Sequence, residues 1–265
     1  MRRLHLLEIH EQPWCPGVIR DAATGYLGLL ATTGRQYDRV IPKLRAAIDA
    51  AGAEQIVDLC SGASGPWTRL SAAINQGRQP PLQILLTDLI PHREAAQITN
   101  KHLRYIDTPI DATRIPRELV GFRTLFTSFH HFRPTEAKAI LEDAVRRQQG
   151  IAIFEQTERT LRAVLTMFLL PVLVFFTAVL VRPFRWTHFF WTCVVPVVPL
   201  VLAFDGIVSC LRTYTRDELR EMIASLDKVG SGSSYRWESG RISTPWAGLG
   251  ILYVIGYPRP AAADE

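Results

Sequence analysis

The stretch Gln-Ile-Val-Asp-Leu-Cys-Ser-Gly-Ala-Ser-Gly-Pro-Trp-Thr-Arg-Leu, at positions 55–70, decides the fold class of this chain. A short apolar run ends in Asp58, a loop of small residues follows from Cys60 to Gly65, and Pro66 stands where a helix would begin. Glycine and serine let the backbone approach a ligand closely, and proline in the first helical turn loses no hydrogen bond. We therefore predict a strand, a tight turn and a helix whose free N–H groups face a ligand.

The carboxylate at the end of this strand narrows the class of ligand. Asp58 would repel a polyphosphate, whereas it suits a cation or the hydroxyl groups of a sugar. We expect a nucleoside-like ligand with a neutral or positively charged centre.

Four more apolar runs of strand length follow, and helical patterns separate them. The predicted strands are Gln83–Asp88, Leu103–Ile106, Thr124–Phe129 and Ile151–Glu155. Helices are predicted after Pro66, over Pro91–Lys101 and from Pro134 to Gly150. This alternation predicts an α/β fold in which helices cover both faces of a parallel sheet.

Polar side chains stand at the carboxyl ends of the predicted strands, where open parallel sheets bind their ligands. These side chains are Asp58, Asp88, Asp111, His130, His131 and Glu155. Asp88 lies 23 residues beyond Gly65, near the spacing at which an acid after the second strand reaches ribose hydroxyl groups. A helix N-cap is the alternative role for Asp88.

The segment from Asp58 to Gly65 resembles the glycine-rich first motif of the class I S-adenosylmethionine-dependent methyltransferases. Cys60 stands where that family usually has its first glycine, and Ser64 with Gly65 replaces the third. Motifs similar to those of the family continue as far as Glu155. The resemblance implies a Rossmann-like fold and S-adenosylmethionine as the cofactor.

The resemblance also implies roles for individual positions. Asp88 falls where the family binds ribose, Asp111 and Ala112 fall where it contacts adenine, and the segment 127–132 falls where it faces the methyl donor. The implied cofactor-binding residues are Asp58, Ser61, Gly62, Gly65, Asp88, Leu89, Asp111, Ala112 and Ser128.

Near the C-terminus, the sequence predicts a helix over Thr215–Leu226 and two strands, Tyr235–Ile242 and Gly250–Tyr257. A final hairpin of this kind is the ending of the methyltransferase family. With helices also predicted over residues 19–51, the expected fold has a mostly parallel sheet of seven strands that ends in an antiparallel hairpin. The expected domains are an N-terminal helical cap (1–54), a methyltransferase core (55–160 and 211–265) and an apolar helical hairpin (161–210).

The apolar segment has the most unusual composition in the chain. Residues 163–181 contain no charged side chain and are long enough to cross a bilayer as a helix. Residues 189–204 are also apolar, but Pro196 and Pro199 interrupt them. Two spanning helices, a shallow or re-entrant anchor, and a hydrophobic lid or dimer surface that never meets lipid are the open alternatives. We expect membrane association through residues 163–204, at a cytoplasmic face because arginines flank the base of the hairpin.

Charge and cysteine content exclude several other classes. The 265 residues carry a net charge of +5 without a dense basic block, so nucleic acid is not an expected partner. The four cysteines lie far apart and form no cluster with histidine, so neither a disulfide framework nor a metal site is expected. The N-terminus meets Glu8 before any long apolar run, which is not the pattern of a secretory signal.

Three residues are candidates for catalysis. Methyl transfer is an in-line displacement, so an enzyme must align the acceptor and remove a proton where the acceptor requires it. His130 or His131 is the candidate base, and Glu155 is a second candidate base or acceptor-positioning group. Because neighbours on an extended chain point to opposite faces, we expect one of the two histidines to reach the cleft. A structural role is the alternative for each histidine.

These observations together predict a membrane-associated methyltransferase that uses S-adenosylmethionine on a lipophilic or membrane-borne small molecule. The alternatives are a non-catalytic, membrane-tethered module that binds the cofactor, and a nucleotide-dependent oxidoreductase with a related sheet.

Overall fold

The computed structural model of this chain describes residues 1–33, 35–62, 64–91, 101–226, 235–244 and 250–259. The chain forms two compact units. The first, which we call the helical unit, comprises Met1–Arg35 and Thr157–Tyr214. The second, which we call the sheet unit, comprises Gln36–Gln156 and Thr215–Glu265.

The described residues of the chain form nine α-helices and seven strands. The helices are α1 (Gly17–Thr33), α2 (Ile41–Ala50), α3 (Trp67–Asn75), α4 (Pro134–Arg146), α5 (Leu161–Met167), α6 (Leu170–Thr177), α7 (Trp186–Phe189), α8 (Val197–Arg212) and α9 (Arg216–Leu226). The strands are β1 (Gln55–Asp58), β2 (Gln83–Leu86), β3 (Leu103–Tyr105), β4 (Phe122–Phe126), β5 (Ile151–Glu155), β6 (Tyr235–Ser243) and β7 (Gly250–Pro258). Residues 92–100, which make up most of the helix predicted over Pro91–Lys101, lie outside the described residues.

In the described part of the sheet unit, one sheet of seven strands has the order β3-β2-β1-β4-β5-β7-β6. Neighbouring strands from β3 to β5 are parallel. Strand β7 is antiparallel to both β5 and β6, so it alone runs against the direction of the other strands. The predicted fold, a mostly parallel sheet with a C-terminal antiparallel hairpin, is confirmed.

The middle of the sheet is buried on both faces. Every residue of β4 and of β5 is buried, as expected for parallel strands that helices cover on both sides. Helix α3 begins directly after Pro66 and buries Trp67, Leu70 and Ile74, which lie on one helical face. Proline therefore opens this helix at the predicted position.

The fourth strand ends earlier than the sequence predicts. Strand β4 stops at Phe126 rather than Phe129, because Thr127 adopts a left-handed backbone conformation with φ +46°. The chain then enters a single 3-10 turn, Phe129–His131. The expectation that His130 and His131 alternate along an extended strand is therefore wrong.

The helical unit contains an antiparallel pair formed by the apolar segments. Helix α8 packs along α5 and α6, with Gly206 of α8 next to Met167 and with Val198 of α8 in one core cluster with Val174 of α6. Helix α1 contributes Ile19, Ala22, Ala23 and Tyr26 to the same core. The apolar chain therefore doubles back on itself, as a hairpin requires.

One segment of this unit has the length and composition of a membrane span. Residues Leu161–Leu180 form a stretch of 20 residues, within which a window of 18 residues has a mean hydropathy of 2.6 and only 11% of its residues are buried. The return path, Trp186–Val194 followed by Val197–Arg212, is together also long and apolar enough to span, but its two parts are bent by 74° relative to each other. In the described residues, one helix or, with the bent pair, two could cross a membrane by length and composition.

Residues 1–16 contain no helix or strand and run against the second half of α8. The backbone N–H groups of Ile9 and His10 donate to the carboxylate of Asp205 at 2.6 and 3.0 Å. The Nδ1 atom of His10 lies 2.7 Å from the same carboxylate. Near the end of α8, the guanidinium of Arg212 lies 3.2 Å from the carboxylate of buried Glu8. We call residues 3–12 the N-terminal strap.

Candidate active site

The loop after β1 has an unusual backbone. Four of its described residues lie in the left-handed region, with φ values of +58° at Cys60, +52° at Gly62, +88° at Ser64 and +50° at Gly65. Residues with a side chain adopt this conformation at a cost of about 1–2 kcal/mol each, and such strain concentrates at ligand sites. Cys60 and Ser64 are the two positions where the sequence departs from the family's glycine pattern. The backbone keeps a glycine-like conformation at both positions.

Hydrogen bonds fix this loop against the neighbouring strand. The N–H of Ser61 donates to the carbonyl of Thr87 at 2.9 Å, and the N–H of Thr87 donates to the carbonyl of Asp58 at 2.9 Å. The hydroxyl of Ser61 donates to the carboxylate of Asp58 at 2.6 Å. The loop is therefore preorganised rather than dependent on a ligand for its shape.

Asp58 is buried at the end of β1, with 1% of its surface exposed. Its Oδ1 atom accepts a hydrogen bond from the hydroxyl of Thr124 at 2.6 Å, and its Oδ2 atom accepts the bond from Ser61. Burial raises the pKa of Asp58 to about 7, the charge of Asp88 adds to the increase, and the hydrogen bonds oppose it. A positively charged ligand nearby would favour the ionised form of this carboxyl group.

Asp88 lies two residues beyond β2 and next to the loop that follows β1. Its Oδ2 atom accepts a hydrogen bond from the N–H of Gly62 at 2.7 Å, and its Oδ1 atom accepts one from the N–H of Ile90 at 2.9 Å. The second bond is an Asx turn rather than a bond to a described helix. The next residue, Leu89, is 58% exposed. The structure thus brings the two acids of the first two strands to one edge of the sheet, as predicted.

Asp111 and Ala112 lie in the loop after β3, and this loop is tied to the Asp88 segment. The N–H of Ile110 donates to the carbonyl of Asp88 at 2.9 Å. The Oδ1 atom of Asp111 accepts hydrogen bonds from the N–H and the hydroxyl of Thr113 at 2.8 and 2.7 Å. The Asp111 carboxylate therefore shapes its own turn, and Ala112 is buried.

Glu155 and His130 form a buried pair where β4 and β5 end. The Oε1 atom of Glu155 accepts the N–H groups of Phe129 and His130 at 2.6 and 3.2 Å. Its Oε2 atom lies 2.8 Å from Nδ1 of His130. Burial alone would raise the pKa of Glu155, but the charge and hydrogen bond of His130 outweigh it and lower that pKa. Because the carboxylate of Glu155 holds Nδ1, proton transfer by His130 would have to use Nε2.

His131 and Ser128 flank this pair. The ring of His131 lies 4.2 Å from the ring of His130, centroid to centroid, and the planes are inclined by 34°. The side chain of Ser128 is buried, and its hydroxyl has no hydrogen-bond partner among the residues that the structure describes. A buried hydroxyl without a partner is costly unless a ligand or water satisfies it.

Two tyrosines form further contacts in this region, and the sequence analysis missed the first of them. The hydroxyl of Tyr105, at the end of β3, donates to the carbonyl of Gly62 at 3.0 Å. The hydroxyl of Tyr37 lies 2.5 Å from the hydroxyl of Thr127, the residue with the left-handed backbone that ends β4. The position of Tyr105 at a strand end is a signal that could have identified it. No sequence signal links Tyr37 to Thr127.

The arrangement has a definite chemical character. The carboxyl edge of the parallel strands carries Asp58, Asp88 and Glu155, together with the imidazole of His130. Such an edge suits a ligand with hydroxyl groups and positive charge, and it supplies a group that can accept a proton.

No family model matches this chain, and no curated protein matches its sequence. Among solved structures, a protein from Nostoc punctiforme assigned as an O-methyltransferase is similar, with a TM-score of 0.50 and 13% identity. The match covers 97% of this chain and 64% of that protein, so this chain spans less than two thirds of its length.

Two other solved structures are less similar. An O-methyltransferase family protein from Burkholderia thailandensis has a TM-score of 0.48 and 13% identity over 86% of this chain and 57% of that one. The plantazolicin methyltransferase in complex with SAH has a TM-score of 0.46 and 11% identity over 92% of this chain and 100% of that one. At these identities the likeness to solved structures establishes the fold, and the activity has to be argued from the residues of the site.

Proposed function

We propose that this protein, whose fold is that of the class I methyltransferases, transfers a methyl group from S-adenosylmethionine to a lipophilic or membrane-borne small molecule. The observation that carries the proposal is the loop after β1. Its backbone keeps the left-handed conformation at Cys60 and Ser64, although neither residue is glycine. A loop that had lost its ligand would have no reason to keep strain at two positions that any right-handed turn would relieve.

The donor site is supported by the groups that surround this loop. Asp88 holds the N–H of Gly62 and still has lone pairs for the ribose hydroxyl groups of a nucleoside. Asp58 is a buried carboxyl group whose ionisation a cation would favour. When bound, the donor supplies a methyl group on a positively charged sulfur. Ser128 offers a buried hydroxyl without a partner among the described residues, on the same edge of the sheet.

We assign to His130 the role of accepting the proton that the methyl acceptor loses. Nδ1 of His130 is held by Glu155, so Nε2 can accept the proton that an acceptor hydroxyl or amine loses when it is methylated. The carboxylate of Glu155 then stabilises the imidazolium, as its lowered pKa indicates. Glu155 is thus proposed as a positioning residue rather than as the base itself.

The lipophilic acceptor and the membrane are inferred from the helical unit. The exposed side of Leu161–Leu180 is as apolar as its packed side: Leu165 is 56%, Leu169 67% and Phe176 74% exposed. In a water-soluble protein, exposed positions of a helix are polar, whereas lipid tolerates an apolar exterior. Arg159, Arg162, Arg212 and Arg216 flank the base of this hairpin, which favours a cytoplasmic sheet unit.

Cofactor binding tests the donor site. The protein purified in detergent is titrated calorimetrically with S-adenosylhomocysteine and, separately, with NAD. We expect binding of S-adenosylhomocysteine alone and a loss of at least about ten-fold in affinity for Asp88→Asn, since a hydrogen bond to a charged group contributes about 1.5–3 kcal/mol. Asp107→Asn, an exposed acid in the loop after β3, is the matched control and should bind like the wild type. Binding of NAD instead would favour the oxidoreductase alternative.

Transfer itself is tested with S-adenosylmethionine that carries a labelled methyl group. The protein is incubated in detergent with membrane lipid extracts and with a panel of apolar alcohols, phenols and amines. We expect label in the organic phase, with little label on water-soluble analogues of the same functional groups. Binding of S-adenosylhomocysteine without transfer to any acceptor would favour the non-catalytic module.

A further inference from the structure

A pocket lies inside the helical unit, beside the turn that joins α6 to α7. Its lining includes Ala22 and Tyr26 from α1, Val174 from α6, and Phe184, Arg185 and His188 from the turn and α7. All of these residues belong to the apolar hairpin and the helix that packs on it. No residue of this lining belongs to the sheet unit.

Two of the polar residues that line this pocket, Arg185 and His188, are cationic or can become so, and the other two, Tyr26 and Thr192, carry neutral hydroxyl groups. Arg185 and His188 are both half-buried, so their side chains sit partly within the apolar lining. The hydroxyl of Tyr26 lies 2.8 Å from that of Thr177, which leaves its ring toward the pocket as another apolar surface. Residues 161–204 contain three arginines and no aspartate or glutamate. A site of this composition is complementary to an anion, and guanidinium groups fit phosphate well.

The surface around the pocket has the composition of a membrane interface. Phe184, Trp186 and Phe189 form a cluster with ring centroids 5.2–6.2 Å apart, and Trp186 is 77% exposed. Tryptophan and arginine together are typical of the layer where lipid head groups meet the hydrocarbon core. The adjoining surface residues Phe176 and Leu180 are apolar and exposed.

The distance between the base of the hairpin and the pocket agrees with a position of the pocket in a head-group layer. The 20 residues Leu161–Leu180 extend about 30 Å at 1.5 Å per residue, which is the thickness of the hydrocarbon core. If arginines at the base of the hairpin lie in one head-group layer, the turn that follows Leu180 reaches the other. A phosphate group at that depth belongs to a lipid.

We propose that this pocket binds the phosphate head group of an anionic phospholipid, with Arg185 and His188 as its polar contacts. The apolar lining receives the start of the acyl chains, which continue along the exposed apolar side of Leu161–Leu180. This inference rests on the membrane association in the proposed function and does not depend on methyl transfer.

The test uses the full chain in nanodiscs that contain equal amounts of phosphatidylglycerol and phosphatidylcholine. Native mass spectrometry of the released protein counts the lipids that remain bound. We expect phosphatidylglycerol to be retained in preference to phosphatidylcholine. Arg185→Gln should lower this preference about five-fold, the factor that corresponds to about 1 kcal/mol for one arginine at a lipid surface. Arg162→Gln removes the same charge at the base of the hairpin, outside the pocket, and should lower the preference less than Arg185→Gln does.

A second measurement tests the pocket without changing any residue that lines it. Lipids with brominated acyl chains quench nearby tryptophans, and exposed Trp186 stands next to the pocket. Brominated phosphatidylglycerol should quench more strongly than brominated phosphatidylcholine at the same mole fraction, and Trp186→Phe should remove the difference.

The outcomes separate this proposal from the proposed function. Equal retention of the two lipids, or equal losses in Arg185→Gln and Arg162→Gln, would overturn the head-group site while membrane insertion stands. Failure of the protein to enter nanodiscs or to float with vesicles would instead overturn the membrane association itself. Binding of S-adenosylhomocysteine, measured on the same samples, reports the donor site independently.

Discussion

The carboxylate of Glu155 holds both the backbone and the ring of His130. Its Oε1 atom accepts the N–H of His130 at 3.2 Å, and its Oε2 atom lies 2.8 Å from Nδ1 of the same residue. Both side chains are buried, with 2–3% of their surface exposed. The carboxylate therefore fixes the orientation of the imidazole and determines which of its two nitrogens carries the proton.

Replacing Glu155 with glutamine tests this dependence. The amide oxygen of glutamine can keep the backbone N–H groups, but its NH₂ group then faces Nδ1 and forces Nδ1 to accept. The proton moves to Nε2, where the base is required, so we expect a loss of about 10²-fold or more in kcat. Affinity for S-adenosylhomocysteine should change little, because Glu155 does not contact the loop after β1 in the proposed role.

The matched control for this variant is Glu118→Gln, an exposed acid that precedes β4 at the other end of the strand. It should retain wild-type kcat and wild-type cofactor affinity. A Glu155→Gln variant that folds, binds S-adenosylhomocysteine and turns over like the control would exclude His130 as the base. His130→Gln should then also be active.

We predict that the carboxyl group of Asp58 releases a proton when the cofactor binds. Burial raises its pKa to about 7 in the ligand-free fold, so near pH 7 a large share of the molecules carry the protonated form. A positively charged donor favours the carboxylate, so binding should release part of a proton and tighten as the pH rises toward 8. Calorimetry in buffers of different ionisation enthalpy measures the release, and Asp58→Asn should abolish it.

The raised pKa of Asp58 also determines the direction in which the stability of the ligand-free protein changes with pH. Because the folded pKa lies above the ordinary value of 3.8, the contribution of Asp58 to the free energy of unfolding is complete below about pH 4. It is lost as the pH rises through 7.

The prediction of proton release on cofactor binding has its own contradicting outcome. Proton release that is absent in the wild type, or unchanged in Asp58→Asn, would contradict it.

Cys60 allows a test of the strained loop. Cys60→Gly relieves a left-handed residue at φ +58°, a gain of about 1–2 kcal/mol that the more flexible unfolded chain offsets in part. Cys60→Val places a β-branched residue in the same conformation and should lower the free energy of unfolding by about 1–2 kcal/mol relative to the wild type. Both variants lose the thiol, so their difference, measured by denaturant unfolding, reports the backbone. Equal stabilities would mean that the loop does not hold this conformation.

The alternation of apolar runs and helical patterns was sufficient to predict the sheet. β5 was predicted at its observed bounds, and the strands of the C-terminal hairpin extend by one residue beyond the predicted ends. Parallel pairing then brings every carboxyl end to one edge, so the sequence could place Asp58, Asp88 and Glu155 together. These inferences depend on periodicity and chain direction, which are local properties.

The contacts between those residues could not be predicted. Strand β4 ends because Thr127 adopts a left-handed conformation. Glycine is the residue that usually indicates this conformation in a sequence, and this position is a threonine. The position of His130 on a 3-10 turn, and hence its bond to Glu155, follows from that early end. The bond between the N-terminal strap and Asp205 joins positions 196 residues apart, which no local pattern encodes.

His10 and Asp205 provide the last prediction. Burial lowers the pKa of His10, but the hydrogen bond and charge of Asp205, with the charges of Glu8 and Glu11, outweigh burial and raise that pKa above 6.5. A raised histidine pKa gives stability that is fully present below pH 6.5 and lost as the pH rises through the folded value. We expect His10→Gln to lower the midpoint of thermal unfolding at pH 6 by more than it does at pH 9.

A double-mutant cycle with Asp205→Asn isolates the pair from other losses in the strap. Asp205 also accepts two backbone N–H groups, so its single variant destabilises the protein at every pH. The coupling energy between the two positions removes that common term and should be more favourable at pH 6 than at pH 9, because the contribution of the charged imidazole falls as the pH rises. A coupling energy of zero at both values would mean that Asp205 anchors the strap through the backbone of Ile9 and His10 alone. An equal, favourable coupling at both values would contradict the pH dependence expected from the raised pKa.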